Sequence, residues 1–260
     1  MTAMPSFDTW VQCRKPNPHA RLRLFCFPYA GGGVAIFRAW AERLPHDIEV
    51  CAVQLPGRDG RMREPLLTDL PALVGALAQG LRPWLNRPYA CFGHSMGALI
   101  AFELTQYLRR LGEPVPVHLL VSARRAPQIP NPDPPLHQLP EPAFVDQLRS
   151  RYNGIPQAIL TEPELMQLFL PILRADFTVI ETYRYMHQPP LDCPITVFGG
   201  LQDSRIGRVD LEAWQAMTRN ACQVHMLPGE HFFLQSAQAQ LLQLVAEHLA
   251  GYPAAASTAS

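Results

Sequence analysis

Short apolar runs alternate along the chain with longer segments in which apolar residues recur at helical spacing. The apolar runs have the length and the β-branched or aromatic content of buried strands, and they lie at 21–27, 48–53, 89–92, 116–122, 195–198 and 223–227. The helical spacing occurs between and after them, at 34–44, 70–84, 98–111 and 236–249. Strands that alternate with helices predict an α/β fold with a mostly parallel central sheet and helices on both faces.

One stretch, from about residue 125 to 187, interrupts this alternation. It begins with a Pro-rich segment at 126–135 and continues with helix-like segments at 141–152, 162–173 and 175–185. Because a crossover between parallel strands needs only one helix, a stretch of this length without a strand predicts a helical lid. We expect residues 1–260 to form a single domain that carries this lid, with a disordered tail at 253–260.

Composition adds few constraints. The chain is 48% apolar and 17% charged with a net charge of zero, so it offers no basic surface for nucleic acid or membrane lipid. No run is long enough to span a membrane, and residues 1–20 lack the apolar core of a secretory signal. The six cysteines lack Cys-x-x-Cys spacing, which argues against a zinc site. We expect buried free thiols in a cytoplasmic protein.

The segment Gly93-His94-Ser95-Met96-Gly97 lies between a predicted strand and a predicted helix. In that context Gly-x-Ser-x-Gly forms a tight turn with the serine in a strained conformation, which small residues at both ends permit. The positive end of the following helix favours a developing anion. The motif therefore predicts an α/β-hydrolase fold, with Ser95 as the nucleophile and the Met96 N–H as one oxyanion donor.

A serine nucleophile needs a base, usually histidine, that is oriented by a carboxylate. In the α/β-hydrolase arrangement the acid and then the histidine each follow a late strand. Asp203 follows the run at 195–198, and His231 follows the run at 223–227. These positions predict Asp203 as the orienting acid and His231 as the base.

Three other acids are alternatives to Asp203. Asp192 precedes its strand and would lie at the opposite end of the sheet, whereas Asp210 lies farther along the same loop and is the second choice. Glu230 adjoins the predicted base, but adjacent residues rarely point at each other. Of the other histidines, His225 falls inside a strand, His94 is directed away by the turn, and His248 falls in the last helix.

A Gly-rich loop at 28–33 follows the first predicted strand. Its glycines allow the backbone to approach a substrate closely, so we expect this loop to supply the second oxyanion donor. A nucleotide site is the other reading of such a loop. The run Gly31-Gly32-Gly33 lacks the G-x-G-x-x-G spacing, and no P-loop lysine follows it.

Six blocks of sequence resemble the type II thioesterases of polyketide and nonribosomal peptide biosynthesis. They lie in order along nearly the whole chain, at 25–33, 54–58, 92–97, 170–176, 198–203 and 228–233. The blocks Leu55-Pro56-Gly57-Arg58 and Leu173-Arg174-Ala175-Asp176 distinguish this family from general lipases.

The resemblance implies a stand-alone hydrolase that removes misprimed or stalled acyl groups from the phosphopantetheine arm of acyl or peptidyl carrier protein domains. It implies no cofactor and no metal, and nothing indicates obligate assembly, so we expect a monomer. By position, Ser95, His231 and Asp203 take the three catalytic roles.

The resemblance also places Met96 and the amides of Tyr29 and Ala30 around the oxyanion. Many relatives carry His or Phe where this chain has Tyr29, which leaves the exact second donor open. Apolar lid residues either line an acyl chamber or pack the lid: Phe144, Leu148, Met166, Phe169 and Phe177. Arginines that could dock an acidic carrier protein are Arg58, Arg124, Arg125 and Arg174.

Other functions share these motifs. A medium-chain acyl-carrier-protein thioesterase that terminates fatty-acid synthesis would differ in chain-length preference, and a general carboxylesterase would also cleave oxyesters. A carrier-protein-binding module without activity is the alternative outside the enzymes. The presence of Ser95, Asp203 and His231 argues against that module.

Overall fold

The computed structural model describes residues 9–151 and 163–252. In these ranges seven strands form one sheet. The strands are β1 (Val11–Cys13), β2 (Leu22–Phe27), β3 (Ile48–Val53), β4 (Tyr89–His94), β5 (His118–Ser122), β6 (Ile195–Gly200) and β7 (Cys222–Leu227). Within the same ranges, no helix combines the length and apolar character that crossing a membrane requires.

The strand order is β1-β3-β2-β4-β5-β6-β7. Only the pairing of β1 with β3 is antiparallel, and the other five pairings are parallel. The predicted α/β-hydrolase fold with a mostly parallel sheet is confirmed. Because the carboxyl ends of parallel strands meet at one edge, the loops after β2, β4, β6 and β7 gather there.

Eight α-helices are described. They are α1 (Trp40–Arg43), α2 (Leu70–Leu81), α3 (Met96–Arg110), α4 (Glu141–Arg151), α5 (Pro163–Thr182), α6 (Arg208–Glu212), α7 (Phe233–Ser236) and α8 (Gln238–Leu249). Local signals explain where α2 begins. The Asp69 side chain accepts the Ala72 N–H at 2.9 Å, and Pro71 occupies the first turn.

Helices cover both faces of the sheet, as predicted. Along β2, Phe25 and Phe27 point into an apolar cluster with α2 and α3, while Leu24 and Cys26 point into a second cluster with α1 and α8. Strand residues alternate between faces, and β2 is buried on both sides. Such burial explains why every residue of β2 except Arg23 is apolar.

Several boundaries differ from the prediction. Strand β1 was not predicted, because three residues at a sheet edge leave too short a pattern. The helix predicted at 34–44 is a 3₁₀ turn, Val34–Phe37, followed by the single-turn α1. The helices predicted at 162–173 and 175–185 are one helix, α5, which continues through Pro171.

The stretch between β5 and β6 contains α4 and α5 and, in the residues described there, no strand. Their apolar faces form a separate cluster that includes Phe144, Leu148, Leu173 and Phe177. The single domain with a lid at 125–187 stays a prediction. Tyr152 and Glu162, at the ends of predicted lid helices, and the tail at 253–260 lie outside the described residues.

Candidate active site

The turn between β4 and α3 holds Ser95 in an unusual conformation, with φ 55° and ψ −111°. The Ser95 N–H donates to the Ser122 carbonyl at 2.8 Å, which ties the turn to β5. A Cβ on Gly93 would lie 2.2 Å from the Gly97 oxygen, and a Cβ on Gly97 would lie 2.1 Å from the Phe27 oxygen. Both glycines are therefore required by backbone atoms that cannot move aside.

Ser95, His231 and Asp203 form a hydrogen-bonded chain. His231 Nε2 lies 3.2 Å from Ser95 Oγ, and His231 Nδ1 lies 2.8 Å from Asp203 Oδ2. Hydrogen bonds join the two loops that carry the acid and the base, since the Gln202 N–H donates to the Gly229 carbonyl at 3.0 Å. The three predicted residues thus meet with the spacing that proton transfer from a serine hydroxyl requires.

The carboxylate of Asp203 is held in its charged form. Burial acts most strongly and would raise its pKa, but the His231 ring and the backbone N–H groups of Arg205 and Ile206 outweigh burial and lower the pKa. Those two N–H groups donate to Oδ1 at 2.9 and 3.2 Å, so Oδ2 faces His231. A charged Asp203 fixes the tautomer with a proton on His231 Nδ1.

The structure separates the alternative acids from the base. Asp192 is an exposed residue 3.5 Å from Arg219. Asp210 Oδ2 accepts the Gly207 N–H at 3.0 Å in the first turn of α6. Glu230 is exposed. None of these contacts reaches Nδ1 of His231, which Asp203 occupies.

His94 was set aside in the sequence, yet it lies against the base. Its Nδ1 is 2.9 Å from Ser122 Oγ, and its ring centroid is 5.5 Å from that of His231. Burial, and next the charge of His231, hold its pKa well below the usual value. A neutral His94 ring does not repel the imidazolium that forms at His231. His225 and His248 pair with each other instead, at 2.8 Å between their Nε2 atoms.

The loop after β2 supplies candidate oxyanion donors. The Gly31 N–H donates to Asp176 Oδ2 at 2.7 Å, and the Gly32 N–H donates to the Tyr29 carbonyl at 2.9 Å. These bonds occupy the Gly31 and Gly32 amides, and the Tyr29 and Ala30 amides stay the predicted donors of this loop. The Met96 N–H lies in the first turn of α3, where N–H groups have no partner within the helix.

A buried ion pair that sequence reasoning missed ties this loop to α5. Arg58 donates to both oxygens of Asp176 at 2.7 and 2.6 Å, and to the Gly32 carbonyl at 3.2 Å. Asp176 lies in α5 and Arg58 in the loop after β3. The two blocks that distinguish the family in sequence, 55–58 and 173–176, therefore meet in space.

Comparison with known proteins decides the family. The thioesterase domain family matches this chain over residues 22–250. The chain belongs to the thioesterase domain family. Gramicidin S biosynthesis protein GrsT of Aneurinibacillus migulanus is 44% identical over 249 residues, which cover 96% of this thioesterase and 97% of GrsT.

Two further relatives extend the comparison. Linear gramicidin dehydrogenase LgrE of Brevibacillus parabrevis is 46% identical over 246 residues, covering 94% of the thioesterase and 93% of LgrE. The solved structure of the type II thioesterase BorB, from the borrelidin biosynthetic cluster, superimposes with a TM-score of 0.82 at 35% identity. That match covers 94% of this chain and 98% of BorB.

A cavity of about 580 Å³ in the thioesterase opens onto Ser95 and His231. Its walls come mainly from the Pro-rich segment after β5 and from the end of α5 and the residues after it, including Pro127, Ile129, Pro130, Ile180, Tyr183 and Tyr185. Glu181 positions this segment by accepting the Leu136 and His137 N–H groups at 2.8 to 2.9 Å. The Pro-rich segment thus forms a wall of the cleft.

The five apolar lid residues do not line this cavity. Phe144, Leu148 and Phe177 are buried among themselves and their neighbours, and Met166 packs against them. The packing interpretation is therefore correct for these four. Phe169, the fifth, is half-buried.

The four arginines proposed for docking all interact with other groups of the chain. Arg58 is buried against Asp176, and Arg125 donates to the Arg205 carbonyl at 2.8 Å. Arg174 donates to the His137 and Leu139 carbonyls at 2.6 and 2.8 Å. The docking interpretation of Arg58 is wrong, because its guanidinium is buried against Asp176 of α5. Arg124 borders the cavity.

Proposed function

We propose that this thioesterase hydrolyses acyl groups from the phosphopantetheine arm of carrier protein domains in nonribosomal peptide or polyketide biosynthesis. The observation that carries the proposal is the hydrogen-bonded chain from Ser95 through His231 to Asp203 in a cleft wide enough for an acyl group. The likeness to a type II thioesterase over nearly the whole of both chains supports the carrier-bound substrate.

Acylation begins when Ser95 Oγ attacks the thioester carbonyl carbon and His231 Nε2 accepts the serine proton. Asp203 keeps the His231 ring oriented and stabilises its positive charge. Collapse of the tetrahedral intermediate breaks the carbon–sulfur bond, and the proton on His231 neutralises the leaving thiolate. An ester on Ser95 and the free thiol of the carrier arm result.

Deacylation repeats these steps with water. The water oxygen attacks the ester while His231 accepts a proton from the water. His231 then returns that proton to Ser95 Oγ as the carboxylic acid leaves. The negative charge on the carbonyl oxygen in both steps is stabilised by the Met96 N–H together with the amide of Tyr29 or Ala30. One such donor is worth about 3–4 kcal/mol in the transition state.

The charged side chains that border the cavity favour short or polar acyl groups as substrates over long alkyl chains. Besides its prolines and tyrosines, the cavity is bordered by Arg124, Asp133, Glu181 and Arg205. An extended alkyl chain would lie against charged groups, which is unfavourable. This feature disfavours a medium-chain fatty-acid thioesterase.

The name of one relative, a dehydrogenase, suggests a different reaction. A dinucleotide-dependent dehydrogenase uses a G-x-G-x-x-G turn that brings backbone close to the pyrophosphate. Here the Gly-rich loop after β2 lacks that spacing, and its Gly31 N–H is bound to Asp176. We do not extend the dehydrogenase name to this chain.

The proposal includes the setting of the reaction. The enzyme acts as a cytoplasmic monomer that meets acyl or peptidyl carrier proteins transiently. Because a thioester carbonyl is already activated, the three catalytic side chains and the oxyanion donors suffice without a metal or cofactor.

The decisive experiment measures hydrolysis of acetyl to decanoyl groups, each loaded on a phosphopantetheinyl carrier protein and each also offered as a free oxyester. We expect turnover of short carrier-bound groups, weak oxyester cleavage, and loss of both in Ser95→Ala. Exposed Ser150→Ala serves as the control and keeps full activity.

Other outcomes reject the proposal in distinguishable ways. Preference for decanoyl groups indicates a chain-terminating thioesterase, and turnover of oxyesters alone indicates a carboxylesterase. Turnover that persists in Ser95→Ala excludes the serine mechanism. Binding of the carrier protein without any turnover indicates a binding module.

A further inference from the structure

Two cysteines far from the cleft lie side by side at the edge of the sheet. Cys13 is in β1 and Cys51 is in β3, and their Sγ atoms are 3.0 Å apart. This separation is about 1 Å longer than a disulfide bond. Both residues are fully buried free thiols, and the proposed thioesterase mechanism uses neither.

The strand register makes a bond between them feasible. Cys13 and Cys51 are direct partners in the antiparallel pairing of β1 with β3. Three positions along the ladder, the Gln54 N–H donates to the Trp10 carbonyl at 2.9 Å, which marks a hydrogen-bonded pair at positions 10 and 54. Pairs alternate in type along an antiparallel ladder, so positions 13 and 51 form a non-hydrogen-bonded pair. The Cα atoms of such a pair lie about 4.5 Å apart, within the range that disulfides span.

We propose that Cys13 and Cys51 are a modification site, at which a peroxide converts the two thiols to a reversible disulfide. One thiolate attacks a peroxide oxygen, which gives a sulfenic acid and releases hydroxide. The second thiol then attacks the sulfenic sulfur, so that the S–S bond forms as water leaves. In sum, two thiols and one hydrogen peroxide give one disulfide and two waters.

The position of β1 explains how an oxidant reaches buried sulfur. Burial is the main reason that the pKa of the Cys51 thiol lies well above its usual value, so the closed structure contains little thiolate at this residue. Strand β1 has three residues and pairs on one side only. Short edge elements open locally at low cost, and opening of β1 hydrates both sulfurs.

A metal ion fits the same group less well. Glu49 lies beside the two thiols, but its Oε2 accepts Arg23 Nε at 2.8 Å and its Oε1 accepts the Asn17 N–H at 2.9 Å. A cation there would have to displace Arg23 or lie next to its charge. The sulfur–sulfur approach also favours a bond between the sulfurs, because two thiolates on one zinc lie farther apart than 3.0 Å.

The experiment treats the full-length protein with hydrogen peroxide and follows its intact mass, with peptide mapping under non-reducing conditions. We expect a loss of two hydrogens, a linked pair of peptides carrying Cys13 and Cys51, and reversal by dithiothreitol. Closing a loop between residues 38 positions apart should raise the Tm by about 5 °C or more. Low urea should accelerate oxidation, since opening of β1 precedes it.

Matched variants make the result specific. Cys13→Ala should abolish both the cross-link and the rise in Tm, whereas Cys26→Ala removes an equally buried thiol on the opposite face and should leave both unchanged. Peptide mapping of the oxidised wild-type protein tests the proposal even if a variant folds poorly. Absence of a cross-link, linkage through other cysteines, or oxidation only to sulfinic acid would overturn the proposal.

Discussion

Strain at a single residue places the nucleophile. Ser95 adopts a positive φ, which residues other than glycine rarely adopt. The strain energy of such a backbone conformation is about 1–3 kcal/mol. The neighbouring structure holds it there through the Ser122 carbonyl and the close approach of Gly97 to β2. Within the turn at 93–97, the positive φ falls on the residue whose side chain must project above the sheet.

Replacing Asp203 by Asn tests the orienting role of its carboxylate. The amide cannot hold the His231 tautomer that accepts the serine proton, so kcat should fall by about 10⁴-fold while the fold is retained. The rate is measured on a carrier-bound acyl substrate at pH 7.5 or another pH at which wild type is fully active.

Asp192→Asn is the matched control for this change. It neutralises an exposed carboxylate of the same type, close in sequence, that also competed for the catalytic role. Activity within twofold of wild type is expected. If Asp203→Asn were no slower than Asp192→Asn, another group would have to orient His231.

The sequence allowed the proposed catalytic residues to be predicted, but not the ion pair and the edge strand that stabilise the fold around them. Ser95, Asp203 and His231 each occupy a position defined by a local motif and by the strand before it. Arg58 and Asp176 are 118 positions apart, and nothing in either local segment shows that the fold brings them together. Strand β1 could not be predicted for a related reason. Its three residues carry too little local pattern, and its pairing with β3 supplies the stability that they lack.

At the level of elements, a buried ion pair between Arg58 and Asp176 fastens helix α5 to the loop after β3. Replacing Arg58 with Met leaves the Asp176 carboxylate buried without its cation, and we expect a loss of about 3–5 kcal/mol in the free energy of unfolding. The double variant Arg58→Met with Asp176→Leu should be more stable than the single variant, because no charge remains to be buried. Urea unfolding measures each difference.

An exposed ion pair provides the comparison. Glu212→Gln breaks the contact of Arg208 with Glu212, whose side chains are 60% and 52% exposed. Its effect should stay below about 1 kcal/mol. If Arg58→Met lowered the free energy of unfolding no more than Glu212→Gln does, α5 would be held mainly by apolar packing.

For the whole molecule, buried histidines set the response to acid. Burial, and next the charge of His248, lower the pKa of His118 from 6.5 to about 4. Between these values the unfolded chain binds a proton that the folded protein does not, so stability falls as the pH is lowered through this window. The fall should amount to about 3 kcal/mol for this group. The pKa shifts of His94, His225 and His248 have the same direction.

Urea unfolding at pH 7 and pH 5 measures about 2 kcal/mol of this fall, because pH 5 lies inside the window. In His118→Gln the loss of stability between the two pH values should be smaller than in wild type, whatever the absolute stability of the variant. Exposed His46→Gln should keep the wild-type dependence. An unchanged dependence in His118→Gln would assign the acid response to other groups.

The site residues lie far apart in the sequence, and this separation has a consequence for when activity appears during folding. Ser95 and His231 are separated by 136 positions, and residues 123–194 lie in the chain between the paired strands β5 and β6. Parallel pairings between distant segments are the slow steps of folding. Helices α2 and α3 can form early around the first strands, but the base and acid arrive last. A partly folded chain therefore displays the serine turn without any hydrolytic power, and activity marks the completion of folding.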